Sequence, residues 1–176
     1  RYFLFTLHIL NEWSNYSWMG LRYPNMISLV REISSCLPLG CKLYVKEHTT
    51  NFPEKDFSFY RAIKAIPRVR LIDRHENTMG LIKNSEGIIT LGGTVGWEGF
   101  LLGKPVVILG KAWYRKLPGI FKAECSESLV DLLQKIDRLT LATEDDKIKA
   151  IYSLYEISFK AERYPIVDLI SQENIE

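Results

Sequence analysis

Two clusters of residues in this sequence have the types and spacing to act on an anion. The stronger is LGGTVGWEGFLLGKPVVILG, residues 91–110. Gly92 and Gly93 interrupt an apolar run, and Thr94 follows where a helix is expected to begin, as its N-cap. Glycines let the backbone approach an anion closely, and a helix start offers unsatisfied N–H groups at the positive end of its dipole. Together Gly93, Thr94 and Val95 make a phosphate cradle, and Gly96 extends the open backbone through the first turn. Glu98 lies one turn further, where a carboxylate can accept hydrogen bonds from two vicinal ribose hydroxyls. An acid near a helix start also complements the dipole. Residue type alone leaves both roles for Glu98 open.

The second cluster is VKEH, residues 45–48, at the end of another apolar run. Lys46 is a cation for a phosphate. His48 can donate a hydrogen bond to one, and its imidazole titrates near neutral pH. A lone histidine is more often structural or merely exposed, but its place at the end of an apolar run favours a functional role. Three further sets follow the same logic more weakly. Asp73, Arg74 and His75 close a third run, where sheets of this kind accommodate a nucleotide base, often through backbone groups. Trp113 and Tyr114 follow a fifth run and either wall a sugar pocket or pack a loop over the sheet. Trp13, Tyr16 and Trp18 suit an acceptor-facing lip or an interface to another domain.

The elements that must position these residues are legible from periodicity. Short apolar runs alternate with helical stretches, the pattern of a mostly parallel sheet covered by helices. Strands are expected at 3–9, 41–47, 69–72, 87–91 and 106–109, helices at 24–37, 56–66, 77–84 and 95–102, and only helices beyond. Leu129, Leu132, Leu133 and Ile136 form one apolar helical face; Ile148, Ile151, Tyr152, Tyr155 and Phe159 form another, with Thr143 as N-cap. Five or six strands give a single Rossmann-like α/β domain over residues 1–176. In such sheets ligands bind outside the carboxyl ends of the strands. That edge collects 8–12, 46–50, 73–75, 92–96 and 110–114.

Composition narrows the function classes. The 176 residues suit one domain, and 47% apolar with 25% charged residues is the balance of a globular protein. A net charge of +2, with Lys42, Lys46, Arg68 and Arg70 not forming a run with interleaved aromatics, speaks against nucleic acid. No apolar run reaches the length of a membrane span. Three cysteines without regular spacing argue against a disulfide framework and fit a reducing compartment, with Cys36 and Cys41 expected as buried thiols. The chain opens in RYFLFTLHIL rather than at a methionine, as expected of a piece of a longer protein.

VKEH, then a strand, then GTVGWEGFLLGKPVVILG and the Trp113-Tyr114 pair resemble the capsule polysaccharide biosynthesis family. That family includes sugar transferases of the two-domain GT-B fold, some using CMP-activated acidic sugars such as Kdo. The likeness runs from about Phe3 to Tyr114. It implies that His48 contacts the donor phosphate and that Gly93, Thr94, Gly96 and Glu98 sit at phosphate and ribose. Three departures stand out: Thr49 where the family has proline after the histidine, Gly99 where it usually has alanine, and Asn11-Glu12 where relatives often have Pro-Glu.

The implied activity is transfer of a sugar from a nucleotide-sugar to a glycan or glycolipid acceptor, with this chain as the C-terminal, donor-binding half. No cofactor is implied, since the nucleotide-sugar is a substrate, and no Asp-x-Asp pair is present for a metal. The implied general base comes from an N-terminal domain of the same protein. The implied place is the cytoplasm, extending to peripheral association of the full-length enzyme with the inner face of the membrane. Two alternatives keep the fold: an enzyme like UDP-N-acetylglucosamine 2-epimerase, and a non-catalytic docking domain of a polysaccharide assembly complex.

Overall fold

Strands rich in buried branched and aromatic residues on both faces belong in the middle of a parallel sheet. Tyr2–Thr6 (β1) and Gly87–Thr90 (β4) have that character: Phe3, Leu4, Phe5, Ile88 and Ile89 are all buried. The computed structural model, which describes residues 1–8, 25–48 and 55–158, places these two strands side by side at the centre. Around them lie Lys42–Lys46 (β2), Val69–Ile72 (β3), Val106–Ile108 (β5) and Ile120–Lys122 (β6). All neighbours pair in parallel, in the order β3-β2-β1-β4-β5-β6.

Helices cover both faces. Met26–Cys36 (α1), Phe57–Lys64 (α2) and Ser126–Gln134 (α5) bury Leu29, Ile33, Ile63, Leu129 and Leu133 against Phe3, Phe5, Val45 and Val107. Thr78–Asn84 (α3), Thr94–Leu101 (α4) and Glu144–Ile157 (α6) cover the opposite face, where Ile82, Val95, Phe100 and Ala150 meet Leu4, Ile88, Val106 and Ile108. Alternate residues of one strand thus feed two different cores. The caps follow from sequence: Asn25, Asp56 and Asn77 each accept a hydrogen bond from an N–H of the helix that follows. Thr143 and Asp146 form the reciprocal capping box of α6.

Several sequence expectations need correcting. A sixth strand, β6, lies where only helices were expected. Its three residues carry no periodic signal, and it exists because Val106 and Ile108 offer it an edge. The helix after β4 begins one residue early, so Gly93 rather than Thr94 is the N-cap, and no side chain caps that end. The apolar stripe of α6 faces outward: Ile148, Ile151, Tyr152 and Tyr155 are exposed, and the helix docks through the small Ala150 instead. Cys36 and Cys41 are buried as expected, while Cys125 is exposed at the N-cap of α5. Asn11, Glu12, Trp13, Tyr16, Trp18, Thr49 and Phe159 lie outside the described residues.

Candidate functional site

From β1 the chain moves to β2 and β3 on one side, then returns so that β4 pairs on the other side of β1. The connections leaving β1 and β4 therefore diverge, opening a crevice at their carboxyl ends. The glycine-rich segment sits there. Thr90, the last residue of β4, is fully buried, and its hydroxyl oxygen accepts from the N–H groups of Gly92 (3.2 Å) and Gly93 (3.1 Å). This folds the turn sharply. Gly92 has φ of +143°, a region closed to most side chains. The carbonyl of Gly93 then receives both the Gly96 N–H at 3.1 Å and the Tyr114 hydroxyl at 2.6 Å.

The turn leaves particular groups for a ligand. Thr94 and Val95 are the first two residues of α4, and among the described residues their N–H groups have no hydrogen-bond partner. The Val95 side chain is buried in the core, so only its backbone faces outward. Thr94 is exposed, and Glu98, four residues on, shares its helix face. The Glu98 carboxylate is half-buried and has no hydrogen bond or ion pair among the described residues. Two N–H donors and one acceptor carboxylate thus lie within one helical turn. Chemically, the two donors can take up an anion and the carboxylate can accept from hydroxyl groups.

Two residues of this region were not singled out by sequence reasoning. His8 is the second residue after β1, and a Cβ built on Gly93 would come within 3.2 Å of its ring. The imidazole therefore lies against the turn at the switch point. Thr90 is the second, since it holds two turn amides. Position at the ends of the two central strands is the signal that would have found both.

The structure redistributes the other expected residues. Lys46 is 2% exposed, and its ammonium donates to the carbonyls of Arg74 (2.7 Å) and Glu47 (3.4 Å). Burial holds it below the ordinary lysine value. It therefore ties the segment after β3 to the end of β2 rather than projecting toward a phosphate. His48 follows β2, on the flank of β1 opposite β4, with its N–H donating to the Glu47 carboxylate at 2.8 Å. His75 is exposed at the edge of the sheet, accepting from the Arg74 guanidinium at 3.1 Å.

Gly96 serves packing more than open backbone: a Cβ there would strike the Tyr114 hydroxyl. Tyr114 is almost wholly buried and supports the turn through its hydroxyl while its ring lines a groove beside Trp113, and burial keeps its phenol protonated well above the usual range. Trp113 is half-exposed against Trp97, at 5.0 Å between ring centroids. The two line a groove of about 340 Å³ that runs along α6 past Leu154 and Ile157.

The family model described as capsule polysaccharide biosynthesis protein matches residues 29–156, which include the whole glycine-rich turn and α4. The chain belongs to the capsule polysaccharide biosynthesis family. Solved structures show the same fold. A β-Kdo 2,4 transferase, KpsC of Thermosulfurimonas dismutans, aligns at TM-score 0.53 and 22% identity, over 75% of this chain and 42% of that one. The UDP-GlcNAc 2-epimerase of Methanocaldococcus jannaschii, in complex with UDP-GlcNAc and UDP, aligns at 0.56 and 19%, over 88% of this chain and 45% of that one. A Listeria monocytogenes protein assigned as a UDP-N-acetylglucosamine 2-epimerase aligns at 0.55 and 18%, over 93% and 47%. The capsule-family chain thus spans about half the length of these structures. No curated protein sequence matches it significantly. Among its described residues no helix is long and apolar enough to cross a membrane.

Proposed function

We propose that residues 1–176 form the nucleotide-sugar-binding half of a two-domain, GT-B type glycosyltransferase that builds capsular or other surface polysaccharide. One observation carries this reading. The Thr94 and Val95 amides and the unengaged Glu98 carboxylate converge at the β1/β4 switch point, inside the span the capsule family model matches. A diphosphate or monophosphate oxygen accepts from the two amides at the positive end of α4. The ribose hydroxyls donate to Glu98. His48, from the neighbouring strand end, and His8, beside the turn, supply imidazoles near the same crevice.

In the transfer, an acceptor hydroxyl oxygen bonds to the anomeric carbon as the bond from that carbon to the phosphate oxygen breaks. The electron pair of the broken bond stays on the nucleotide phosphate, and the acceptor proton passes to a general base on the other half of the enzyme. The contribution of this half is preorganised stabilisation of the departing phosphate, by protein groups without a metal. The acceptor is a glycan or glycolipid. The enzyme works in the cytoplasm, with peripheral association at the inner face of the membrane.

A second reading, epimerisation of UDP-N-acetylglucosamine, keeps the same fold, which two epimerase structures share. Calorimetric titration with CMP, UDP and GDP tests the donor site. One nucleotide is expected to bind, with affinity falling at least tenfold in Glu98→Ala and in His48→Ala. No binding to any of the three would remove the donor-site assignment. Conversion of UDP-N-acetylglucosamine to its 2-epimer by the full-length protein would favour the second reading.

A further inference from the structure

We propose that the buried ion pair between Glu47 and Lys55 is a positioning device that sets the place of His48; this rests on the donor-site reading above. Glu47 and Lys55 are 6% and 8% exposed, and the Lys55 ammonium donates to Glu47 Oε1 at 2.7 Å. That same oxygen accepts the His48 N–H at 2.8 Å. One carboxylate oxygen therefore fixes both the backbone of His48 and the far end of the connection that starts there. Both anchors are rigid. Glu47 directly follows β2, and its N–H is bonded to the Ile72 carbonyl at 3.1 Å. Lys55 directly precedes Asp56, the N-cap of α2, and its ammonium lies 5.7 Å from the centre of the Phe59 ring of that helix.

The choice of charges points to placement rather than stability. Burying an ion pair forfeits much of its attraction to desolvation, and well-packed apolar residues of similar volume commonly do as well or better. Here the cost is greater still, because Glu47 Oε2 is buried with no hydrogen-bond partner among the described residues. An apolar pair could close the same connection. It could not accept the His48 amide. The carboxylate is the group that couples closure of the connection to the register of the histidine at its start.

The test separates the two contributions. In Glu47→Leu/Lys55→Met the melting temperature is expected to stay within a few degrees of the parent or to rise. Hydrogen exchange at the His48 amide, read by NMR without ligand, is expected to accelerate at least tenfold, with the His8 and His75 resonances unmoved. Glu47→Gln keeps an oxygen for that amide and is expected to hold exchange within threefold of the parent. If the Leu/Met variant leaves His48 protected, or Glu47→Gln loses protection to the same extent, the proposal falls. With the nucleotide that binds the parent, the Leu/Met variant is expected to lose about tenfold in affinity, and His48→Ala added to it less than twofold more. Losses that multiply would show an independent structural role and overturn the proposal. Unchanged binding in His48→Ala alone would instead overturn the donor-site role of His48, while the ligand-free exchange still decides the pinning.

Discussion

A glycine can be present because a ligand needs the space or because a neighbour already fills it. In the glycine-rich turn, backbone conformation accounts for one glycine and a packed neighbour for another four residues on. Gly92 takes a positive φ that the turn requires, whereas Gly96 makes room for the buried Tyr114 ring, whose Cζ would lie 2.9 Å from an added Cβ. Sequence alone could not separate them, because the residue that occupies the space is eighteen positions away. The same holds for Lys46, which reads as a phosphate cation until its ammonium is seen bound to the Arg74 carbonyl. That Thr94 and Glu98 share one helix face was legible, because their spacing is local to that helix. For Gly96→Ala the gain in helix propensity, about 1 kcal/mol, is opposed by overpacking against a ring that hydrogen bonding to Gly93 keeps in place. A net loss of about 1–2 kcal/mol is expected in urea denaturation. Adding Tyr114→Phe should return part of it, since the clashing hydroxyl is gone. Stability equal to the parent in Gly96→Ala would mean that ring and helix part freely.

Elements were read well where periodicity and caps agree, and poorly where an edge or a small residue decides. β1 to β5 and the helices between them lie within a few residues of expectation. β6 was hidden because three residues carry no period, and α6 turned over because Ala150 fits close to the sheet where isoleucine and tyrosine would not. The caps lead to a pH prediction at this scale. The Phe59 N–H and then the Ser58 hydroxyl hold the Asp56 carboxyl below its ordinary value of 3.8, and the Thr143 hydroxyl and N–H do the same for Asp146. A carboxyl with a lowered folded-state pKa adds stability that is fully present above its unfolded value. The contribution disappears as pH falls through the folded one. Acid titration of stability should therefore steepen below about pH 4. Asp56→Asn/Asp146→Asn should flatten that slope while leaving a folded protein at neutral pH. An unchanged slope would show that neither cap is formed in solution.

At the scale of the whole molecule, the sheet order decides what the local features mean. The turn is a candidate site because β4 returns beside β1, and the buried cores of these two central strands hold the crevice in place. A ligand held by groups on α4 contacts an element whose Val95 and Phe100 belong to one core, while β4 beneath it contributes Ile89 to the other. Binding there should stabilise the described sheet as a unit. A ligand present at one hundred times its Kd adds about 2.7 kcal/mol. For a chain of this size that raises the melting temperature by roughly 5–10 °C. The nucleotide that binds by calorimetry is expected to give this shift in the parent and to give little in Glu98→Ala at the same concentration. Equal shifts in both chains would place the ligand elsewhere, with the groove along α6 beside Trp113 the next region to map. A shift confined to the parent would tie affinity to the switch point.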